Sequence, residues 1–107
     1  MLFKLSVIDR LLLNGVLPVE NDILTLKIVR KIREDCSFDE AETKQIGFAK
    51  TEDGSGTIWK DNSVEKEIEI GEKGVDIIFN ALKEMNKNKK LTENHFHLYE
   101  LFVGDRV

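Results

Sequence analysis

The chain has 107 residues, 41% hydrophobic and 34% charged, the profile of a single folded domain (1–107) and not of a disordered segment. A net charge of −4 argues against a general polyanion binder, although it leaves room for a local basic patch. The single cysteine, Cys36, excludes an intramolecular disulfide and a cysteine-built zinc cluster, and suggests a reducing compartment.

The N-terminal stretch is apolar (Met1, Leu2, Phe3, Leu5, Val7, Ile8) until Asp9 and Arg10 interrupt it. Both charges are foreign to a secretory leader, and no apolar run approaches the ~18 residues of a membrane span. A cytoplasmic protein without membrane contact is expected. Ser6 is placed to cap a first helix of about ten residues, with Asp9 as its capping-box partner. Val7, Ile8, Leu11 and Leu12 form the expected core stripe, and Leu5, Leu13, Val16 and Leu17 widen it. A helix apolar on most sides is either central in its fold or half of an oligomer interface. Gly15 and Pro18 end it.

A second helix is expected from Asn21 or Asp22 to about Asp35. Leu24, Ile28, Ile32 and Cys36 recur at spacings of four, which makes Cys36 a buried core residue. Ser37-Phe-Asp-Glu40 reads as a capping box opening a third helix over about Phe38–Gln45. A hairpin follows, with strands near Ile46–Thr51 and Thr57–Lys60. Val64-Glu-Lys-Glu-Ile-Glu-Ile70 alternates with a period of two and adds a third strand. After Gly71, Val75, Ile78, Phe79 and Leu82 define the buried face of a fourth helix. Asn86–Lys90 is a polar linker, and Thr92 caps a last helix lined by Leu91, His95, Leu98 and Phe102. The expected fold is α+β: about five helices packed on a small three-stranded antiparallel meander at residues ~46–70.

The hairpin loop, Thr51-Glu-Asp-Gly-Ser-Gly-Thr-Ile-Trp-Lys-Asp-Asn62, nearly spells a calcium-binding EF-hand loop. Asp53, Ser55 and the Thr57 carbonyl fall at ligand positions. The first position is Thr51 and the twelfth Asn62, so both anionic anchors are missing, and the downstream flank is a strand where an EF-hand needs a helix. Asp53-Gly-Ser-Gly56 is sufficient as turn chemistry. No metal or cofactor is expected.

Other chemistry-bearing residues resolve in the same direction. Glu65, Glu67 and Glu69 fit the solvated face of a half-covered sheet, with Lys50 or Lys60 as cross-strand partners. His95 and His97 are two apart, so on a helix they point in nearly opposite directions and cannot chelate one ion. His95 should border the core and His97 the solvent. Neither a nucleophile elbow nor a phosphate loop is present, so no catalytic residue and no enzyme activity are expected. Of Ile58 and Trp59, one faces the helices; burial is expected for Trp59.

The clearest binding lead is the basic face of the second helix, Lys27, Arg30, Lys31 and Arg33, a candidate contact for a nucleic-acid phosphate backbone or a partner. Asp39, Glu40 and Glu42 on the following helix oppose a helix-turn-helix reading.

Leu24-Thr-Leu-Lys-Ile-Val-Arg-Lys-Ile-Arg-Glu34 with Ser37-Phe-Asp-Glu40, and Lys66-Glu-Ile-Glu-Ile-Gly-Glu-Lys73 with Asp76-Ile-Ile78, Leu91-Thr92, Leu98-Tyr99-Glu100 and Phe102, carry a resemblance over most of the chain. They resemble small uncharacterised proteins of bacteriophages and prophages. The resemblance implies a role in assembly, regulation or host interaction and brings no active site with it. The reading is a non-enzymatic interaction or assembly module, self-associating through its apolar first helix or binding a protein partner. A small nucleic-acid-binding regulator using the basic face is the alternative.

Overall fold

The computed structural model describes residues 1–52, 54, 56–59 and 64–104. It is an α+β structure in which the order of elements follows the expectation closely, while the sheet does not. The chain opens with a strand, β1 (Leu2–Ser6), which runs without a loop into α1 (Val7–Val16). After α2 (Ile23–Cys36) and α3 (Glu40–Ile46) comes a small ribbon of β2 (Ala49–Lys50) and β3 (Thr57–Ile58). β4 (Glu65–Glu69) leads into α4 (Glu72–Lys87), and a 3₁₀ turn (Glu93–His95) leads into α5 (Phe96–Phe102).

The expected meander does not form among these residues. β4 pairs antiparallel with β1, from Leu2↔Glu69 to Ser6↔Glu65, and the β2–β3 ribbon is a separate two-stranded sheet. The reason lies in Leu2-Phe-Lys-Leu-Ser6, whose period of two sends Phe3 and Leu5 inward and Leu2 and Lys4 outward. Its buried face meets Ile68 of β4, so pairing here joins two half-buried strands into one amphipathic sheet.

Ser6 is both the last residue of β1 and the N-cap of α1. Its hydroxyl accepts from the Asp9 N–H (3.2 Å), and its own N–H donates to Asp9 Oδ2 (3.0 Å). The predicted cap is therefore present, but the inward face of α1 is turned from the predicted stripe. Val7, Asp9, Arg10, Leu13, Val16 and Leu17 are buried, while Leu11 is exposed.

The second helix shows a related drift. Each step of four residues rotates about 40° past a full turn, so Leu24 lies about 120° from Cys36 around the axis. Val29, Ile32 and Cys36 face the core, and Leu24 stands out in solvent at 59% exposure.

The third helix starts two residues later than its predicted capping box. Ser37 Oγ donates back to the Glu34 carbonyl (2.7 Å), closing α2, and Asp39 with Glu42 forms the box instead. Gly47, at φ +72°, ends the helix in the left-handed conformation that glycine adopts without a Cβ penalty.

Phe3, Leu5 and Ile68 from the sheet meet Val29 and Ile32 of α2, Val75, Ile78 and Leu82 of α4, and Leu98 and Phe102 of α5 in one core. The Phe3 and Phe102 rings lie 4.4 Å apart. α4 approaches α2 closely because Gly74 has no side chain. A Cβ there would come within 2.8 Å of Ile70 Cγ2 and 3.1 Å of Ile32 Cδ1.

Candidate functional site

Two consecutive charged residues on the buried side of α1 set the geometry of the molecule. Arg10 is 1% exposed. Its Nε donates to the Cys36 carbonyl (3.0 Å), Nη2 to the Ser37 carbonyl, and Nη1 to Glu42 Oε2 (2.7 Å), with Nη2 also 3.2 Å from Glu42 Oε1. The guanidinium lies over the Phe38 ring, 4.0 Å from its centre. Phe38 meets Phe48 edge-on, and Phe48 meets Trp59, so one chain of contacts ties α1 to the α2–α3 corner and the ribbon. Trp59 is half-buried and turned inward, while Ile58 is the outward residue.

The guanidinium hydrogen bonds hold the Glu42 carboxyl below its ordinary range, in spite of the burial that acts against its ionised form. Burial pushes the neighbouring Cys36 thiol up to about 11, so Cys36 is a small core residue and a poor nucleophile.

Asp9, fully buried, is less completely satisfied. Oδ2 accepts from the Ser6 N–H and lies 2.6 Å from His97 Nδ1, while Oδ1 has no partner among the described residues. His97 is about half exposed, as its position predicted. Its link to a residue 88 positions away left no signal in local spacing. His95 is buried, and its Nδ1 accepts the Thr92 N–H (2.9 Å).

The four basic residues of α2 do not act as a set. Arg33 turns back along α2 and donates to the Leu17 carbonyl (3.2 Å), near the C-terminus of α1, where a cation is favoured. Lys31 lies 3.2 Å from Asp35. Lys27 and Arg30 are exposed, with no salt-bridge partner among the described residues. Lys27, Lys31 and Lys73 rim a groove between α2 and the start of α4, floored by Ile28, Ile32 and Ile70, and Asp35, Glu69 and Glu72 share that rim. Three carboxylates against three ammonium groups give little net attraction for a phosphate chain.

Glu65, Glu67 and Glu69 are exposed on the outer face of β4. Their cross-strand positions are Ser6, Lys4 and Leu2, so Lys4 opposite Glu67 takes the place expected for Lys50 or Lys60. Lys50 pairs with Thr57 in the ribbon, and Lys60 lies outside the described residues.

The predicted hairpin is present where the near-calcium loop falls. The Gly54 N–H donates to the Thr51 carbonyl (2.9 Å) and the Thr51 N–H to the Gly56 carbonyl (3.1 Å), with Gly54 at φ +71°. Thr51 Oγ1, the would-be first ligand, accepts the Gly56 N–H at 3.1 Å. Asp53, Ser55 and Asn62 lie outside the described residues. Among the described residues, no three His, Cys, Asp or Glu side chains converge as a metal site requires.

Apolar side chains are exposed around the start of α2, where spacing predicted burial for Leu24 alone. Val19, Ile23 and Leu24, at the connection from α1 and the first turn of α2, are 77%, 71% and 59% exposed. By contrast, most of the apolar residues between 2 and 17 lie in the core, leaving Leu2 and Leu11 as the exposed large ones. No helix among the described residues is long and apolar enough to cross a membrane. No family model matches the chain, and no curated protein or solved structure does so either.

Proposed function

We propose that the protein is a non-enzymatic interaction or assembly module whose contact surface is the α1–α2 corner, with a second copy of the chain as the first partner. The observation that carries this reading is the exposure of Val19, Ile23 and Leu24 within six residues of sequence. Of these, Ile23 and Leu24 lose little backbone entropy on contact, because the helix turn that bears them is already ordered. The first helix is a weaker candidate than its composition implied, since most of its apolar residues already pack inside and Leu11 alone of them is exposed. The buried titratable groups Asp9 and Arg10 also support a non-catalytic reading, because both hold helices together. The phage or prophage setting rests on the residue resemblance alone.

Light scattering over a concentration series tests the proposal. The wild type should rise above its 12.3 kDa monomer mass, and Ile23→Lys with Leu24→Lys should hold the monomer. A wild type that remains at 12.3 kDa at high concentration, or a double variant that associates equally, overturns it.

The nucleic-acid alternative has less support, because Arg33 is engaged at α1 and Lys31 pairs with Asp35.

A further inference from the structure

We infer that the hollow between the α4–α5 connection and α5 binds a small, neutral, planar aromatic molecule that presents a hydrogen-bond acceptor. The hollow encloses about 490 Å³, within the range of small-molecule sites. Its walls include Leu91 and three rings, His95, Phe96 and Tyr99. Phe96 and Tyr99 are three apart on α5, a spacing that brings side chains to neighbouring positions on a helix. Phe96 is 65% exposed, an unusual position for a phenyl ring and one that a flat ligand would cover.

The polar requirement comes from His95. Its Nδ1 accepts the backbone N–H of Thr92, so the neutral ring carries its proton on Nε2. Among the described residues Nε2 makes no hydrogen bond, and His95 stands in the wall of the hollow. A fixed N–H donor in an aromatic wall selects an acceptor, such as a ring nitrogen or a carbonyl. Charge near the hollow is mixed: Lys87, Lys89 and Lys90 precede it in the chain and Glu93 stands in its wall, which favours a ligand without net charge.

The test is an amide NMR titration of the full chain with isoquinoline near neutral pH, with naphthalene as the counterpart lacking an acceptor. Saturable shifts should gather at residues 91–99. Phe96→Ala, which removes an exposed ring and leaves the core intact, should weaken binding about two- to tenfold. His95→Phe keeps a ring and removes the donor. It should weaken isoquinoline about three- to tenfold without weakening naphthalene. Ile23→Lys with Leu24→Lys should bind isoquinoline as the wild type does, which separates this site from self-association. Scattered or unsaturable shifts, unchanged affinity in Phe96→Ala, or tighter binding of naphthalene or tetramethylammonium would overturn the inference.

Discussion

Asp9 and Arg10 are adjacent, both buried and both on the inner side of α1, yet they meet opposite circumstances. Arg10 has hydrogen bonds from all three guanidinium nitrogens, to two carbonyls and a carboxylate, and a ring beneath it. Asp9 has one backbone donor, one partly exposed imidazole and an oxygen with no partner among the described residues. A buried charge contributes to a fold only when its hydrogen-bonding capacity is filled, so Arg10 makes a rigid joint and Asp9 a conditional one. The joint at Arg10 fixes α1 against the α2–α3 corner. The contact at Asp9 fixes α1 against α5 through a side chain that water can reach.

The largest expected effect comes from breaking the rigid joint. Arg10→Met keeps the apolar stem and leaves two carbonyls and the Glu42 carboxylate without their donor. Urea denaturation should show a loss at the low end of ~3–5 kcal/mol, because Glu42 retains 17% exposure and can partly rehydrate. Breaking the conditional joint should cost less. His97→Ala leaves Asp9 with the Ser6 N–H alone and should cost about 1–3 kcal/mol by the same measurement.

The smallest effect is in the pH dependence. The Glu42 carboxyl titrates below its ordinary 4.5 in the folded state. The unfolded chain therefore binds that proton first as the pH falls. Its stabilisation is present above 4.5 and is lost as the pH drops through the folded value. Glu42→Gln should be less stable near neutrality and should lose less stability than the wild type on acidification in that window.

How much of this could be read in advance depended on how far apart the interacting residues are. The Ser6–Asp9 box, the apolar face of α4 at Val75, Ile78 and Leu82, and the Gly54 turn are local, and spacing predicts each of them. Strand β1 was hidden because its five residues run directly into a helix, with Ser6 serving both elements. Its partner β4 lies more than sixty residues on, so no turn signal joins them. Leu24 misled because a spacing of four drifts around a helix with 3.6 residues per turn.

The joints themselves had a signal of a weaker kind. Charges at positions 9 and 10 of an apolar helix must either face water or find partners inside, but local sequence does not say which. Arg10 reaches residues 26 to 32 positions away and Asp9 one 88 away. The wall of the hollow was half legible, since His95 was placed at the core border with Leu91 on the same side of the last helix. The tautomer of His95 depends on the hydrogen bond from the Thr92 N–H, which residue spacing does not show.

The central claim, that buried Arg10 and partly buried Glu42 form one structural unit, is tested most directly by a double-mutant cycle in urea with Arg10→Met and Glu42→Gln. The account predicts a coupling of about 1–3 kcal/mol, so that the double variant is little worse than Arg10→Met alone. Losses that simply add would contradict it.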